Sequence, residues 1–280
     1  MSTKLWYNKF VDDWMWALPL GNGRIGAMLY GNPNCEQIEI NEESLWCGKK
    51  IQESYHASPE ALEEIRRLIF EEKLQEAAEL ARGTFLSDPI AVRSYESFGE
   101  IFIDYFDKSP YTDYHKELDL STAVAKVSYV KNSVKYTSTT FVSEEYDAFV
   151  YNVATDGHPF SCKISHNRKQ DAYSACIKND TIILNGRIVT NDSPIYGEGC
   201  EGMSFGSKLR IFTDGELCPE HSTICVKGAT YVTIYAAFAT NYNIDKFDID
   251  EAIDYKQSLE DCLSKICSAD YNEVLSAHKD

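Results

Sequence analysis

No stretch of this 280-residue chain is long and apolar enough to cross a bilayer, and Met1-Ser2-Thr3-Lys4-Leu5-Trp6 holds no apolar secretory core. The expectation is a cytoplasmic protein that stays off membranes. Positive charge is scarce. Lys and Arg number 27 against 44 Asp and Glu, a formal net charge of −17. Such a chain repels phosphate backbones and anionic headgroups, which excludes nucleic acid as a partner and suits a neutral one such as a sugar. The nine cysteines are odd in number and form no CxxC, so neither a disulfide framework nor a zinc ribbon is indicated, and reduced thiols are expected. The six histidines form no HxH or HExxH, so no metal and no cofactor is expected. His56, His115, His158 and His221 sit among polar or turn residues, and His166, after an alternating strand, is expected at a surface strand end, with a pocket position as the alternative. No G-x-S-x-G occurs. Cys47 has no histidine base placed beside it by sequence and reads as a small buried hydrophobe. Acidic residues are too numerous for spacing to pick out a catalytic pair.

One motif is present that its surroundings deny. Gly21, Gly23 and Gly26 give G-x-G-x-x-G, and Glu42 and Glu43 follow at the distance of a ribose-binding acid. A dinucleotide cradle needs a strand before the glycines and a helix after them. Here Pro19 precedes, and Ala27-Met28-Leu29-Tyr30-Gly31 ends in the turn signal Asn32-Pro33-Asn34. Glu36-Gln37-Ile38-Glu39-Ile40 then alternates, so the spacing predicts a β-hairpin over 25–31 and 36–40, entered by a tight glycine loop.

Helical spacing appears twice. Ser58-Pro59-Glu60 is a helix start, and Leu62, Ile65, Leu68 and Ile69 form an apolar face. Lys73 interrupts it before Leu74, Ala77, Ala78 and Ala81, which predicts two short helices or one kinked helix over 58–82, with Gly83 as the stop. Residues 248–280 carry Ile249, Ala252, Ile253, Leu259, Leu263 and Ile266, capped by Asp248 or Asp250. A second helix starts at Ser268-Ala269-Asp270. Between about 98 and 240, about ten β-type runs separated by turns predict a mainly β fold, a large antiparallel β-sandwich. Trp6, Trp14, Trp16 and Trp46 all lie in the first 46 residues. They suit an interface or a sugar face, or they fill the core.

These residues carry a resemblance. Leu5-Trp6-Tyr7, Trp14, Ala17 to Met28, Ile40-Asn41-Glu42-Glu43-Ser44-Leu45-Trp46-Cys47-Gly48, Ile65-Arg66-Arg67-Leu68, Gln75 to Ala81, Tyr95 to Gly99 and Tyr114 to Leu120 resemble motifs of glycoside hydrolase family 95. That is the α-L-fucosidase and α-L-galactosidase group. The likeness is dense up to Leu120 and weaker after about 155. It implies an N-terminal β-sandwich over 1–245. Helical linker residues 246–280 then lead to an (α/α)6 barrel that carries the catalytic glutamate, asparagine and aspartate of an inverting glycosidase.

That barrel would lie beyond Asp280, where the chain stops within helical spacing. The expectation is therefore a fragment, inactive alone, with no catalytic residue to assign. The expected partners are the barrel of the same polypeptide and a fucosylated or galactosylated oligosaccharide. Asn22, Arg24, Glu42 and Trp46 are the candidates for a substrate rim or an interdomain contact. A stand-alone carbohydrate-binding module and a pure scaffold are the rival readings. The sequence departs from the family at Lys116, where an arginine is usual, and at Cys47-Gly48-Lys49-Lys50-Ile51, where a proline-rich loop is usual.

Overall fold

The computed structural model describes residues 3–50, 57–87 and 89–279. The chain runs through strands β1 (Lys4–Tyr7), β2 (Leu18–Gly21), β3 (Ile25–Leu29) and β4 (Cys35–Glu42), with a single 3-10 turn at Trp14–Trp16. Helices α1 (Pro59–Phe70) and α2 (Leu74–Phe85) follow. Next come β5 (Gly99–Tyr105), β6 (Tyr111–Asp119), β7 (Val124–Lys131), β8 (Val134–Ser143), β9 (Ala148–Thr155) and β10 (Phe160–Asn167). Then come β11 (Ala172–Lys178), β12 (Thr181–Thr190), β13 (Cys200–Thr213), β14 (Glu216–Glu220), β15 (Thr223–Ala229) and β16 (Tyr231–Thr240). The ribbon β17 (Tyr242–Asn243) and β18 (Asp248–Ile249) precedes α3 (Tyr255–Cys267) and α4 (Tyr271–Lys279).

Nine strands form one sheet in the order β1-β6-β7-β8-β9-β16-β13-β12-β11, and seven form the other in the order β14-β15-β10-β5-β4-β3-β2. Neighbours pair antiparallel, and the two inner faces share one core. The fold is the expected mainly β sandwich, with twelve strands between 98 and 240 in place of the ten or so expected.

Alternation explains the smaller sheet. Ile101, Ile103 and Tyr105 point inward from β5, and Ile38 and Ile40 from β4. The buried face of β4 also contains a carboxylate at each end, Glu36 and Glu42. Central strands β9 and β16 are buried on both faces, which accounts for their near-continuous apolar runs. The outer side of β8, β9 and β16 is covered by α3 and α4, through Leu259, Leu263, Ile266 and Val274 against Phe141, Val150 and Ala237. Pro19 lies in β2, opposite Met28, at the sheet edge where a residue without an N–H is tolerated.

Several boundaries differ from the sequence reading. The first helical segment takes the two-helix form of the two expected, broken at Glu71–Lys73 with Glu72 at φ 61°. The second runs through Gly83 to Phe85. The two helices pack on each other through Ile65, Leu68 and Ala77. Asp254, not Asp248 or Asp250, caps α3 by accepting from the N–H groups of Lys256 and Gln257. Asp270 begins α4 with a capping box: its carboxylate accepts from Asn272 and Glu273 N–H, and Glu273 accepts in return from Asp270 N–H. His166 is fully buried, not at a surface strand end. Its Nδ1 lies 2.8 Å from the Ser207 hydroxyl, and burial drives its pKa down to about 3. His56 lies outside the described residues.

Candidate functional site

The Gly-Asn-Gly-Arg stretch is a hairpin loop, and its chemistry is that of a turn. Asn22 Oδ1 accepts from the N–H groups of Arg24 (3.0 Å) and Ile25 (2.8 Å), and Gly23 sits at φ +97°. A side chain at 23 would be strained by that backbone conformation. The loop closes β2 onto β3 and directs the Arg24 guanidinium across the sandwich.

Arg24 is engaged at all three nitrogens. Nε donates to Asp147 Oδ1 (3.0 Å), Nη1 to Glu42 Oε1 (3.1 Å) and Nη2 to the Phe238 carbonyl (3.0 Å). Nη2 also lies 2.7 Å from Asp147 Oδ2. Asn22 Nδ2 donates to the same Asp147 carboxylate (3.0 Å) and to the Ser143 carbonyl (3.3 Å). The network joins the β2–β3 loop of one sheet to the β8–β9 turn and to β16 of the other. Asp147 holds φ +48° in that turn and has no signal in the sequence that marks it.

Glu42 is only 3% exposed. Its Oε2 accepts from the Ser44 N–H (3.0 Å) and hydroxyl (2.7 Å), and Ser44 Oγ lies 2.6 Å from Thr240 Oγ1. Burial pushes the Glu42 carboxyl above its ordinary pKa, with Ser44 and then Arg24 pulling it back. Desolvation opposes the Arg24 charge, but Asp147 and then Glu42 outweigh it and raise its pKa. The two shifts pull in opposite directions on the pair's ionisation. The geometry decides for an ionised pair, because guanidinium and carboxylate meet at 3.1 Å and Ser44 donates twice to the other oxygen.

Beyond Glu42 the chain turns so that the Trp46 indole donates to the Glu43 carbonyl (3.2 Å) and packs on Tyr95, ring centroids 5.3 Å apart. Tyr95 in turn donates to the Glu42 carbonyl (2.9 Å). Arg24, Glu42 and Trp46 thus line one groove of about 750 Å³, whose far rim is Tyr242, Ile244 and Phe247. Asn22 stands behind this groove and holds Asp147. The structure therefore brings three of the four sequence candidates to one surface and sets the fourth as their support.

The tryptophans do not fill the core. Trp6, Trp14, Trp16 and Trp46 are 60%, 51%, 37% and 46% exposed. Cys47 is half-buried, not fully buried as expected: it packs against the edge of the core and lines the groove. Burial and then the Glu96 charge push its thiol up, which disfavours the thiolate a nucleophile needs. Among the described residues no three His, Cys, Asp or Glu side chains are placed to hold a metal ion.

Residues 5–245 match the family described as "Glycosyl hydrolase family 65, N-terminal domain". The chain is 27% identical over 287 aligned positions to "Alpha-L-fucosidase 2" of Arabidopsis thaliana, covering 95% of this chain and 34% of that protein. It is 23% identical over 250 positions to "Probable alpha-fucosidase A" of Aspergillus niger, covering 84% and 29% respectively. Among solved structures, one described as "Putative kojibiose phosphorylase from human microbiome" shares the fold at TM-score 0.54 and 10% identity. That likeness covers 100% of this chain and 37% of the other. The chain spans about a third of the length of these proteins. The family number differs from that of the motif resemblance, while the relatives named are fucosidases. The family match and the named relatives agree on a glycoside hydrolase. The chain is an N-terminal domain of a glycoside hydrolase and belongs to the glycosyl hydrolase family 65 N-terminal domain family.

Proposed function

We propose that this domain is the non-catalytic sandwich of an inverting α-L-fucosidase of the family 95 kind, in which residues 246–280 lead to a catalytic barrel. On this reading the groove at Arg24, Glu42 and Trp46 faces that barrel and its substrate. The observation that carries the reading is a division of labour within the groove. Arg24, Asn22 and Glu42 spend their polar groups on one another and on Asp147, so they build a rigid rim. Trp46, Ile244 and Phe247 present exposed apolar surface that the described residues leave uncovered. Rigid aromatic surface beside fixed polar groups is what domain interfaces and sugar sites use.

The test is made in the full-length polypeptide. Trp46→Ala is expected to lower kcat/KM on an aryl α-L-fucoside about tenfold without changing the melting temperature. Unchanged activity would refute the rim role. A wild-type polypeptide that does not cleave the fucoside would refute the enzyme reading. The exposed Trp46–Tyr95 pair also favours a stand-alone carbohydrate-binding role. Calorimetry of this chain with fucosylated and galactosylated oligosaccharides tests it, and absence of heat would count against it.

A further inference from the structure

Trp46 is a wall shared by two cavities. On its other side lies a second cleft of about 710 Å³, bounded by Lys49, Lys50, Arg93, Tyr196 and Glu198. The two cavities share Lys49 and Lys50 and differ in charge balance. The first has Glu42, Glu43, Asp147 and Asp248 against Arg24, Lys49 and Lys50, with Arg24 already paired. The second has Lys49, Lys50 and Arg93 against Glu198 alone. In a chain of net charge −17, this is a local reversal.

Arg93 is built into its place. Its aliphatic stem packs on Gly48, where a Cβ would stand 2.7 Å from Arg93 Cδ and where φ is +98°. Nη2 is anchored by the carbonyls of Asn191 (3.0 Å), Gly197 (2.9 Å) and Glu198 (2.8 Å). Nε and Nη1, with three N–H donors between them, meet no acceptor among the described residues. No carboxylate among those residues is within ion-pair distance of Arg93. Lys50 Nζ donates to the Lys246 carbonyl at 3.3 Å. Lys49 pairs with Glu198 at 3.1 Å, but both are exposed, so water screens the pair and a ligand can displace it.

We propose that the second cleft binds the acidic part of an oligosaccharide, a uronic acid whose carboxylate sits on Arg93 and Lys50 while its C–H face lies on the Trp46 indole. A half-buried guanidinium with donors on adjacent nitrogens that the described residues leave open matches a planar carboxylate, and its anchoring reduces the entropy lost on binding. A sugar chain that continues past Trp46 enters the first groove. There Glu43 and Asp248 offset Lys49 and Lys50, so the groove has no excess positive charge for a second acid and suits a neutral unit. The ligand class is therefore a uronate-containing oligosaccharide that carries neutral sugars. The choice of sugar rests on the glycosidase reading above; the preference for negative charge rests on Arg93, Lys49 and Lys50 alone.

The experiment titrates this chain with hexagalacturonate and with neutral β-1,4-galactohexaose, followed by calorimetry and tryptophan fluorescence. Hexagalacturonate is expected to bind about tenfold more tightly at low salt, with the difference lost between about 20 mM and about 0.5 M salt. Lys50→Gln is expected to weaken the acidic probe about fivefold and leave the neutral one unchanged. Arg93→Gln removes the anchor of residues 191–198 as well as the charge. Its melting temperature is therefore read alongside, and Lys50→Gln is the deciding variant. Equal binding of the two probes, no binding of the acidic one, an unaffected Lys50→Gln, or full displacement by inorganic phosphate at matched ionic strength would overturn the proposal. Cleavage of the aryl fucoside by the full-length polypeptide tests the enzyme reading separately, so either can fail without the other.

Discussion

Replacing Arg24 by Met keeps the length of the side chain and removes the guanidinium donors that join the two sheets at the groove, leaving Asn22 Nδ2 on Asp147 and Ser143 and the Ser44–Thr240 hydroxyl contact. Glu42 is then a buried carboxylate whose remaining donors are the Ser44 N–H and hydroxyl. Asp147 is half-exposed, and water can re-solvate it. The Phe238 carbonyl loses its side-chain donor. Breaking one side of a buried ion pair costs about 3–5 kcal/mol, and the partial exposure of Arg24 and Asp147 puts this case near the lower figure. For a domain of this size each kcal/mol moves the melting temperature by about 2–4 °C, so a fall of about 6–12 °C is expected. Glu42→Gln in the Arg24→Met background should recover about 1–2 kcal/mol, because the stranded charge is gone.

The pH dependence gives a second reading of the same variant. Glu42 is already raised by burial, and without Arg24 it rises further. A raised carboxyl contributes stability that is complete below its unfolded pKa of about 4.5 and lost as pH climbs through the folded value. The deficit of Arg24→Met should therefore shrink on acidification. Urea titrations from pH 4 to 8 on the wild type, the single variants and the double variant measure all of this. An Arg24→Met protein within about 1 kcal/mol of wild type, or a deficit indifferent to pH and to residue 42, would refute the network's role as an inter-sheet staple.

Two further outcomes follow from the core. Burial holds His166 down to about 3 against an unfolded value near 6.5, so the folded state binds fewer protons between those values. Its contribution is present above pH 6.5 and lost on acidification. His166→Gln should flatten this acid limb relative to wild type, measured as urea midpoint against pH. The comparison with wild type is needed because Glu36, raised by burial to about 7, contributes the opposite slope between about 4.5 and 7. An unchanged limb would sink the assignment. Gly99 has φ +124°, and a Cβ there would lie 2.6 Å from the Asn167 carbonyl oxygen, which is backbone and cannot swing away. Gly99→Ala should cost about 3 kcal/mol or more, and a melting temperature within a degree or two of wild type would contradict that.

Much of the fold is legible in the sequence because it is local. Period-two alternation places Ile101, Ile103 and Tyr105 inside, and also Ala125, Val127 and Tyr129. The Ser58-Pro59 start marks α1, and the context around the glycines points to a hairpin and not a nucleotide site. Local rules fail where a residue meets a distant partner. Lysine is ordinarily a surface residue, yet Lys116 and Lys131 are both buried. Lys116 donates to the Trp16 and Tyr30 carbonyls, and Lys131 to those of Pro33 and Asp107. His166 departs from its expected surface position for the same reason: its cover comes from Phe238 and Ser207, far along the chain.

The groove divides along the same line. The motifs single out Asn22, Arg24, Glu42 and Trp46, because turn chemistry and aromatic composition are properties of short segments. What those residues do depends on Asp147 and Phe238, which lie 123 and 214 positions from Arg24. The sequence alone determined the strands, the helices, the hairpin loop and the acidic surface, since backbone geometry and side-chain polarity act over a few residues. Tertiary structure alone decided which charges are buried, that three of the four candidates share one groove, and that the cavities meeting at Trp46 differ in charge balance. Those are facts of pairing and desolvation, and they exist only once the two sheets have closed.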